Sequence, residues 1–167
     1  MRRRRTLLLA ALAGVLAVAA GVYAGMDRRA GVASRGREVM PFDLEVTTHR
    51  FAPSASGGVQ TVTSDDPADV RQVTLIRAHL AEEAARLARG DYGDPAFIHG
   101  GEMPGLRQLQ QGHGAVDVRY AEVPSGARIT YRTTDPALIT ALHAWFDAQV
   151  TDHGRHAEHG QPSEGTR

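Results

Sequence analysis

The sequence predicts an α+β fold in which a four-stranded antiparallel sheet carries two helices on one of its faces. Two observations support this prediction. Short stretches rich in Val and Thr come in pairs, and a Gly-containing turn separates the members of each pair, as in β-hairpins. Each pair is followed by an Asp-Pro-Ala triplet and then by apolar residues at helical spacing. The chain therefore contains the same strand–turn–strand–helix unit twice, and packing both apolar faces together gives two layers.

The first 26 residues carry the pattern of an export signal. Arg2–Arg5 precede an uncharged run from Thr6 to Met26, and such a run of about 20 residues is long enough to span a bilayer. We predict a signal anchor over residues 1–26, with a cleaved signal peptide as the alternative, and a linker over 27–41. This pattern places the protein at a bacterial inner membrane, with its C-terminal domain facing the periplasm or the cell exterior.

The first unit follows this linker. Asp43–Phe51 and Val59–Thr63 are predicted strands because Val and Thr recur in them. Asp65-Asp66-Pro67 is a helix start, since Asp accepts from a free N–H of the first turn and Pro fits the first helical position. The helix is expected to end at Gly90. Its predicted buried face consists of Val70, Val73, Ile76, Leu80, Ala84 and Leu87.

The second unit follows Asp91–Gly114, which we expect to be irregular because it is rich in Gly, Pro and His. Ala115–Val123 and Ala127–Thr133 are its predicted strands. Asp135-Pro136 starts the second helix and Gly154 ends it. The apolar stripe of this helix consists of Leu138, Ile139, Leu142, Trp145, Phe146 and Val150. The predicted domain therefore covers residues 42–154, and a polar, His-containing tail covers 155–167.

Composition excludes several classes of function. The formal net charge is zero, so there is no electrostatic case for nucleic acid, and we expect no nucleic-acid partner. The chain has no Cys, which excludes disulfides, iron–sulfur clusters, zinc–thiolate sites and thiol nucleophiles. It also has no nucleophile elbow and no phosphate-binding loop. We therefore favour a non-enzymatic role.

Three segments carry a family resemblance. Ile98–Leu106, Gly126–Gln149 and Asp152–Gly154 resemble a family of small, uncharacterised bacterial proteins that are exported or anchored in the membrane. Some members carry an aspartate carbamoyltransferase label, which implies a Ser-Thr-Arg-Thr phosphate loop. Tyr131–Thr134 reads Tyr-Arg-Thr-Thr and does not match that loop. The resemblance therefore implies an envelope location and this fold, with no catalytic residues.

Histidine and methionine supply the candidate metal chemistry. One His and one Met lie together in the segment His-Gly-Gly-Glu-Met-Pro-Gly, and imidazole with thioether suits copper. Three further histidines recur every third residue near the C-terminus, in a spacing that could bind zinc or copper. The candidate ligands are His99, Met103, His153, His156 and His159. The alternative is that Met103 fills the core, that His99 and His153 cap local structure, and that the tail is solvated.

The sequence thus predicts a membrane-tethered binding or accessory protein that binds copper or zinc through His and Met. Its expected partners are the membrane, through the N-terminal helix, and another envelope protein. One alternative is a small envelope enzyme with its site in residues 91–114, near His99 and Glu102. Another is a structural subunit of a membrane complex. His79 and His143 each lie four residues before an acidic residue, and their roles stay open.

Overall fold

The computed structural model describes Tyr23 and residues 25–161. Most of the predicted signal anchor, residues 1–26, lies outside this part of the chain. No helix among the described residues has the length and apolar character that crossing a membrane requires. The anchor therefore stays a prediction from the sequence.

Five strands form one sheet in the order β3-β4-β2-β1-β5. The strands are β1 (Thr47–Ser54), β2 (Gly57–Ser64), β3 (Asp117–Val123), β4 (Gly126–Arg132) and β5 (Ala157–His159). The first four pair antiparallel with their neighbours, while β5 runs parallel to β1. The predicted α+β class is confirmed. The finer prediction of a four-stranded antiparallel sheet is wrong, because the sheet has a fifth strand and is mixed.

The fifth strand comes from the predicted polar tail. Ala157 pairs with His49, and the N–H of Gly160 donates to the carbonyl of Phe51 at 2.9 Å. Ala157 is buried against the core. A three-residue strand with one apolar side chain has no periodicity that a sequence pattern can reveal, so the tail prediction missed it.

Five helices accompany the sheet within the described residues. They are α1 (residues 25–39), α2 (Val70–Ala88), α3 (Gly93–His99), α4 (Leu106–Gly112) and α5 (Pro136–His153). Short 3-10 turns lie at Leu44–Val46, His113–Ala115 and Gly154–His156. Helix α1 stands where the sequence predicted a linker over 27–41, and α3 and α4 stand where it predicted an irregular middle.

The two long helices start at Asp caps, but only one cap is the predicted one. Asp135 caps α5 by accepting from the N–H of Ala137 at 2.8 Å. Helix α2 is capped by Asp69, which accepts from the N–H of Gln72 at 3.0 Å. The predicted start at Asp66 is instead a turn, in which its carboxylate accepts from the N–H of Ala68. The chain enters α2 three residues later than the Asp-Pro signal indicated.

The core lies between one face of the sheet and the two long helices. Helix α2 packs on β2, β3 and β4, and α5 packs on β1, β2 and β5. Burying each large apolar side chain supplies roughly 1.5–3 kcal/mol before conformational entropy is subtracted. The largest fully buried side chains are Trp145, Tyr92, Tyr131, Phe51, Phe146 and Ile76. The helices α2 and α5 thus cover one face of the sheet.

Candidate functional site

A small polar cavity lies between the sheet, α2, α3 and α5. Its volume is about 40 Å³. One water molecule needs about 10–15 Å³ by this measure, so the cavity has room for an ion or a few waters, and a metabolite would not fit. Its polar lining residues are His49, Gln60, His79, Glu83, Asp94, His99, Gln149 and His153. We call it the histidine cavity.

One wall of the histidine cavity is an oriented imidazole. The Nδ1 of His99 lies 3.0 Å from an oxygen of Asp152. Arg28 of α1 donates to both oxygens of the same carboxylate, at 2.9 and 3.0 Å. Burial alone would raise the pKa of Asp152, but the hydrogen bonds from Arg28 and His99 lower it below its ordinary value. An ionised carboxylate only accepts, so His99 donates from Nδ1 and keeps its lone pair on Nε2.

Two more imidazoles continue from His99: His153 lies against His99, and His49 lies against His153. The ring centres of His49 and His153 are 5.3 Å apart, and those of His99 and His153 are 4.9 Å apart. Burial lowers the pKa of His49 to about 4. Burial also lowers the pKa of His99, and that of His153 well below its ordinary value. All three are therefore neutral at pH 7, which is the form that ligates metals.

Several buried polar atoms in this region have no hydrogen-bond partner among the described residues. They are His49 Nε2, Tyr92 Oη, Trp145 Nε1 and Gln149 Oε1. Leaving such a group unpaired costs about 1–3 kcal/mol. Three of the four residues line the histidine cavity, so a ligand placed there would meet polar groups that the protein itself does not satisfy.

The other end of the cavity is acidic. Burial raises the pKa of Glu83 to about 7, and the nearby carboxylate of Asp94 adds to the effect. His79, one turn earlier on α2, has its pKa lowered by burial. The sequence left the role of His79 open, and the structure places both side chains on the cavity wall. Glu83 therefore changes its charge near neutral pH.

The five predicted ligands do not form one site. His99 and His153 line the histidine cavity together. Met103 is buried in the hydrophobic core and does not line this cavity. The Nε2 of His156 lies 3.6 Å from Glu45, and His159 is an exposed side chain 3.9 Å from Asp147.

Sequence reasoning missed His49. It lies on the inward face of β1, between the buried residues Thr47 and Phe51, and alternation along the predicted strand could have shown this. Glu102, named with His99 for the enzyme alternative, has a 90% exposed side chain and pairs with Arg107. It lies outside the histidine cavity, and Glu83 is the glutamate that lines it.

The spacing within two pairs of imidazoles, His49 with His153 and His99 with His153, fits a shared ion. Two imidazoles on one zinc have ring centres about 5 Å apart, because Zn–N bonds are about 2.0–2.1 Å long. The observed separations of 4.9 and 5.3 Å match this. As they stand, no three His, Asp or Glu side chains within the described residues are arranged to hold a metal ion. Coordination therefore requires rotation of imidazole rings.

Comparisons with protein-family models, with curated proteins and with solved structures found no match for this chain. The family resemblance of the three segments therefore stays a prediction, and the functional argument depends on the geometry of the site.

Proposed function

We propose that this protein binds a transition-metal ion, zinc or copper, in the histidine cavity through His49, His99 and His153. The observation that carries the proposal is that the neutral imidazole of His153 lies beside those of His49 and His99, each pair at the spacing of two ligands to one ion. They surround a cavity of ion size rather than metabolite size. Nitrogen ligands of this kind suit zinc and copper better than magnesium or calcium.

Few hydrogen bonds oppose the required ring rotations. His99 is the fixed ligand, because Asp152 holds its ring and leaves Nε2 free to ligate; such a carboxylate also raises the basicity of the ligand. The Nε2 of His49 has no partner, so moving it breaks no hydrogen bond at that atom. No hydrogen bond joins the ring of His153 to another described residue. Two rings without hydrogen bonds to described residues would therefore adjust around one oriented ring.

One carboxyl group on the cavity wall would offset part of the charge of a bound cation. Arg28 offsets the charge of Asp152, so a divalent ion would add uncompensated positive charge. Glu83 lies on the cavity wall with a pKa of about 7. A nearby cation favours the ionised form of a carboxyl group. Glu83 would thus lose its proton when the ion binds and would balance part of its charge.

The proposal extends to the cellular context. Helix α1 (residues 25–39) overlaps the last two residues of the predicted anchor, and its Arg28 donates to Asp152 beside the site. A membrane-anchored protein with this arrangement would hold its metal site close to the outer surface of the bacterial inner membrane. We therefore propose an accessory role in which the domain binds the metal ion beside another envelope protein.

Calorimetric titration with Zn²⁺ and Cu²⁺ tests the metal site. We expect one ion per chain, and at least about tenfold weaker binding for each of His49→Ala, His99→Ala and His153→Ala, since each removes one ligand. His113→Ala and His159→Ala are the matched controls and should bind normally. Absence of binding would contradict the proposal, as would binding that is lost only with His156→Ala or His159→Ala.

A further inference from the structure

A second, larger pocket opens beside the histidine cavity. It lies between α1, the Leu44–Val46 turn and the C-terminal end of α5, and its volume is about 410 Å³. His49 and His153 line both spaces and so form the wall between them. The remaining charged or titratable lining groups are Arg29, Arg37, Glu45, Asp152, Arg155 and His156. We call this pocket the vestibule.

The vestibule carries an excess of positive charge. The arginines that line it are Arg29, Arg37 and Arg155. Asp152 also lines it, but the ion pair with Arg28 already offsets its negative charge. Glu45 is the other acidic lining residue, and it is shared by Arg37, Arg155 and His156. Three guanidinium groups therefore face a single carboxylate. Arg29 adds only a contact of 3.3 Å to the carbonyl of Thr151, which leaves its charge available.

The size and walls of the vestibule suit a small organic molecule. Its volume falls within the range of about 300–1,000 Å³ that is usual for ligand pockets. Val32, Ala33 and Leu44 give it an apolar side, and the small side chain of Ala33 leaves room beside α1. Guanidinium groups bind carboxylates through two parallel hydrogen bonds. The pocket therefore combines an apolar wall with several anion-binding groups.

We infer that the vestibule binds a small organic anion with two or more carboxylate groups, and that one of these carboxylates reaches the wall formed by His49 and His153. Three imidazoles leave one position open on a four-coordinate zinc ion, and a carboxylate oxygen can fill it. The anion site itself depends on the arginines. Its contact with the metal rests on the proposed function.

Calorimetry with succinate on the purified full-length chain, freed of metal and at low ionic strength, tests the anion site. We expect one succinate per chain and about tenfold weaker binding for Arg29→Gln and for Arg155→Gln, since a charged hydrogen bond contributes about 1.5–3 kcal/mol. Arg128→Gln is the matched control, because Arg128 is an exposed residue of β4 that does not line the vestibule. Ala33→Phe should block succinate by filling the pocket without changing any charge.

The outcomes separate this inference from the proposed function. Zinc binding without succinate binding would overturn the inference and leave the metal site standing. Succinate binding without zinc binding would support the anion site and would overturn the proposed metal site. Equal loss of succinate binding in Arg128→Gln would show unspecific attraction and would overturn the inference. Inorganic phosphate binding as tightly as succinate would also overturn it.

Saturating succinate should tighten zinc binding in the native chain and leave it unchanged in Ala33→Phe. Unchanged zinc affinity in the native chain would overturn the contact between anion and metal.

Discussion

At the scale of single residues, the histidines of this chain have clearly different surroundings. His143 is a structural example. Its Nε2 lies 3.1 Å from the carbonyl of Ser54 and 2.9 Å from that of Gly57, so the ring donates one N–H that both carbonyls share. This contact ties α5 to the turn between β1 and β2. The role of His143 is therefore structural.

Replacing His143 by Ala should therefore destabilise the protein without affecting metal binding. We expect a loss of about 1–2 kcal/mol in the free energy of unfolding, because two carbonyls lose their donor. Urea denaturation of the metal-free protein measures the change. His159→Ala is the control, since this ring is exposed and has only a distant contact with Asp147. Equal stability of both variants would contradict a stabilising contact between His143 and the turn between β1 and β2.

Glu83 gives a prediction for pH dependence. Its ordinary pKa is 4.5, and burial raises it to about 7. Between these values the folded state binds more protons than the unfolded state, so the contribution of Glu83 to stability falls as the pH rises from about 4.5 to about 7. Glu83→Gln stays neutral throughout. We expect the variant to match the native chain near pH 4 and to exceed it by roughly 1–3 kcal/mol above pH 7.

Denaturation of the metal-free forms at a series of pH values measures this difference. Other titrating groups are common to both chains and cancel in the comparison. Parallel stability curves would show that Glu83 titrates normally.

Only part of the site could be predicted from the sequence. His99 and His153 were named because they lie in segments rich in candidate ligands. The carboxylate of Asp152 comes from a position 53 residues after His99, and its other partner, Arg28, is 124 residues before it. Such long-range contacts leave no local pattern, because only tertiary packing brings the three side chains together.

At the scale of elements, α1 is the main difference from the sequence prediction. Gly31 and Gly36 lie within it, and each glycine disfavours a helix by about 1 kcal/mol. Tertiary contacts offset this cost. Val32 is 1% exposed, and Arg35 donates to the carbonyl of Ile98 at 2.8 Å. The helix is therefore stabilised by docking on the domain, which intrinsic propensity cannot show.

Val32→Asp should release α1 from the domain. The substitution places an unpaired charge in a buried contact, which is costly, whereas Ser34→Asp lies on the exposed side of the same helix. Hydrogen exchange followed by mass spectrometry should show fast exchange over residues 25–39 in Val32→Asp and native protection in Ser34→Asp. Equal protection in the two variants would contradict the docked position of α1.

At the scale of the whole molecule, the two predicted units share one sheet. Strand β2 of the first unit pairs with β4 of the second over seven register positions, and α2 and α5 cover the same face. The histidine cavity lies at this junction, since His79 and Glu83 come from the first helix and His153 from the second. The repeated pattern predicted the layers. It could not predict β5 or α1, because both lie outside the repeat. Strand β5 completes the sheet edge, and α1 completes a wall of the vestibule.

The central claim is that three imidazoles from β1, α3 and α5 bind one metal ion. X-ray absorption spectroscopy of the zinc-loaded protein tests it most directly, because outer-shell scattering counts imidazole ligands. We expect three imidazole nitrogens at about 2.0 Å and one further light ligand, and two imidazoles in His49→Ala. A spectrum with fewer than three imidazoles in the native protein, or one that His49→Ala leaves unchanged, would contradict the account.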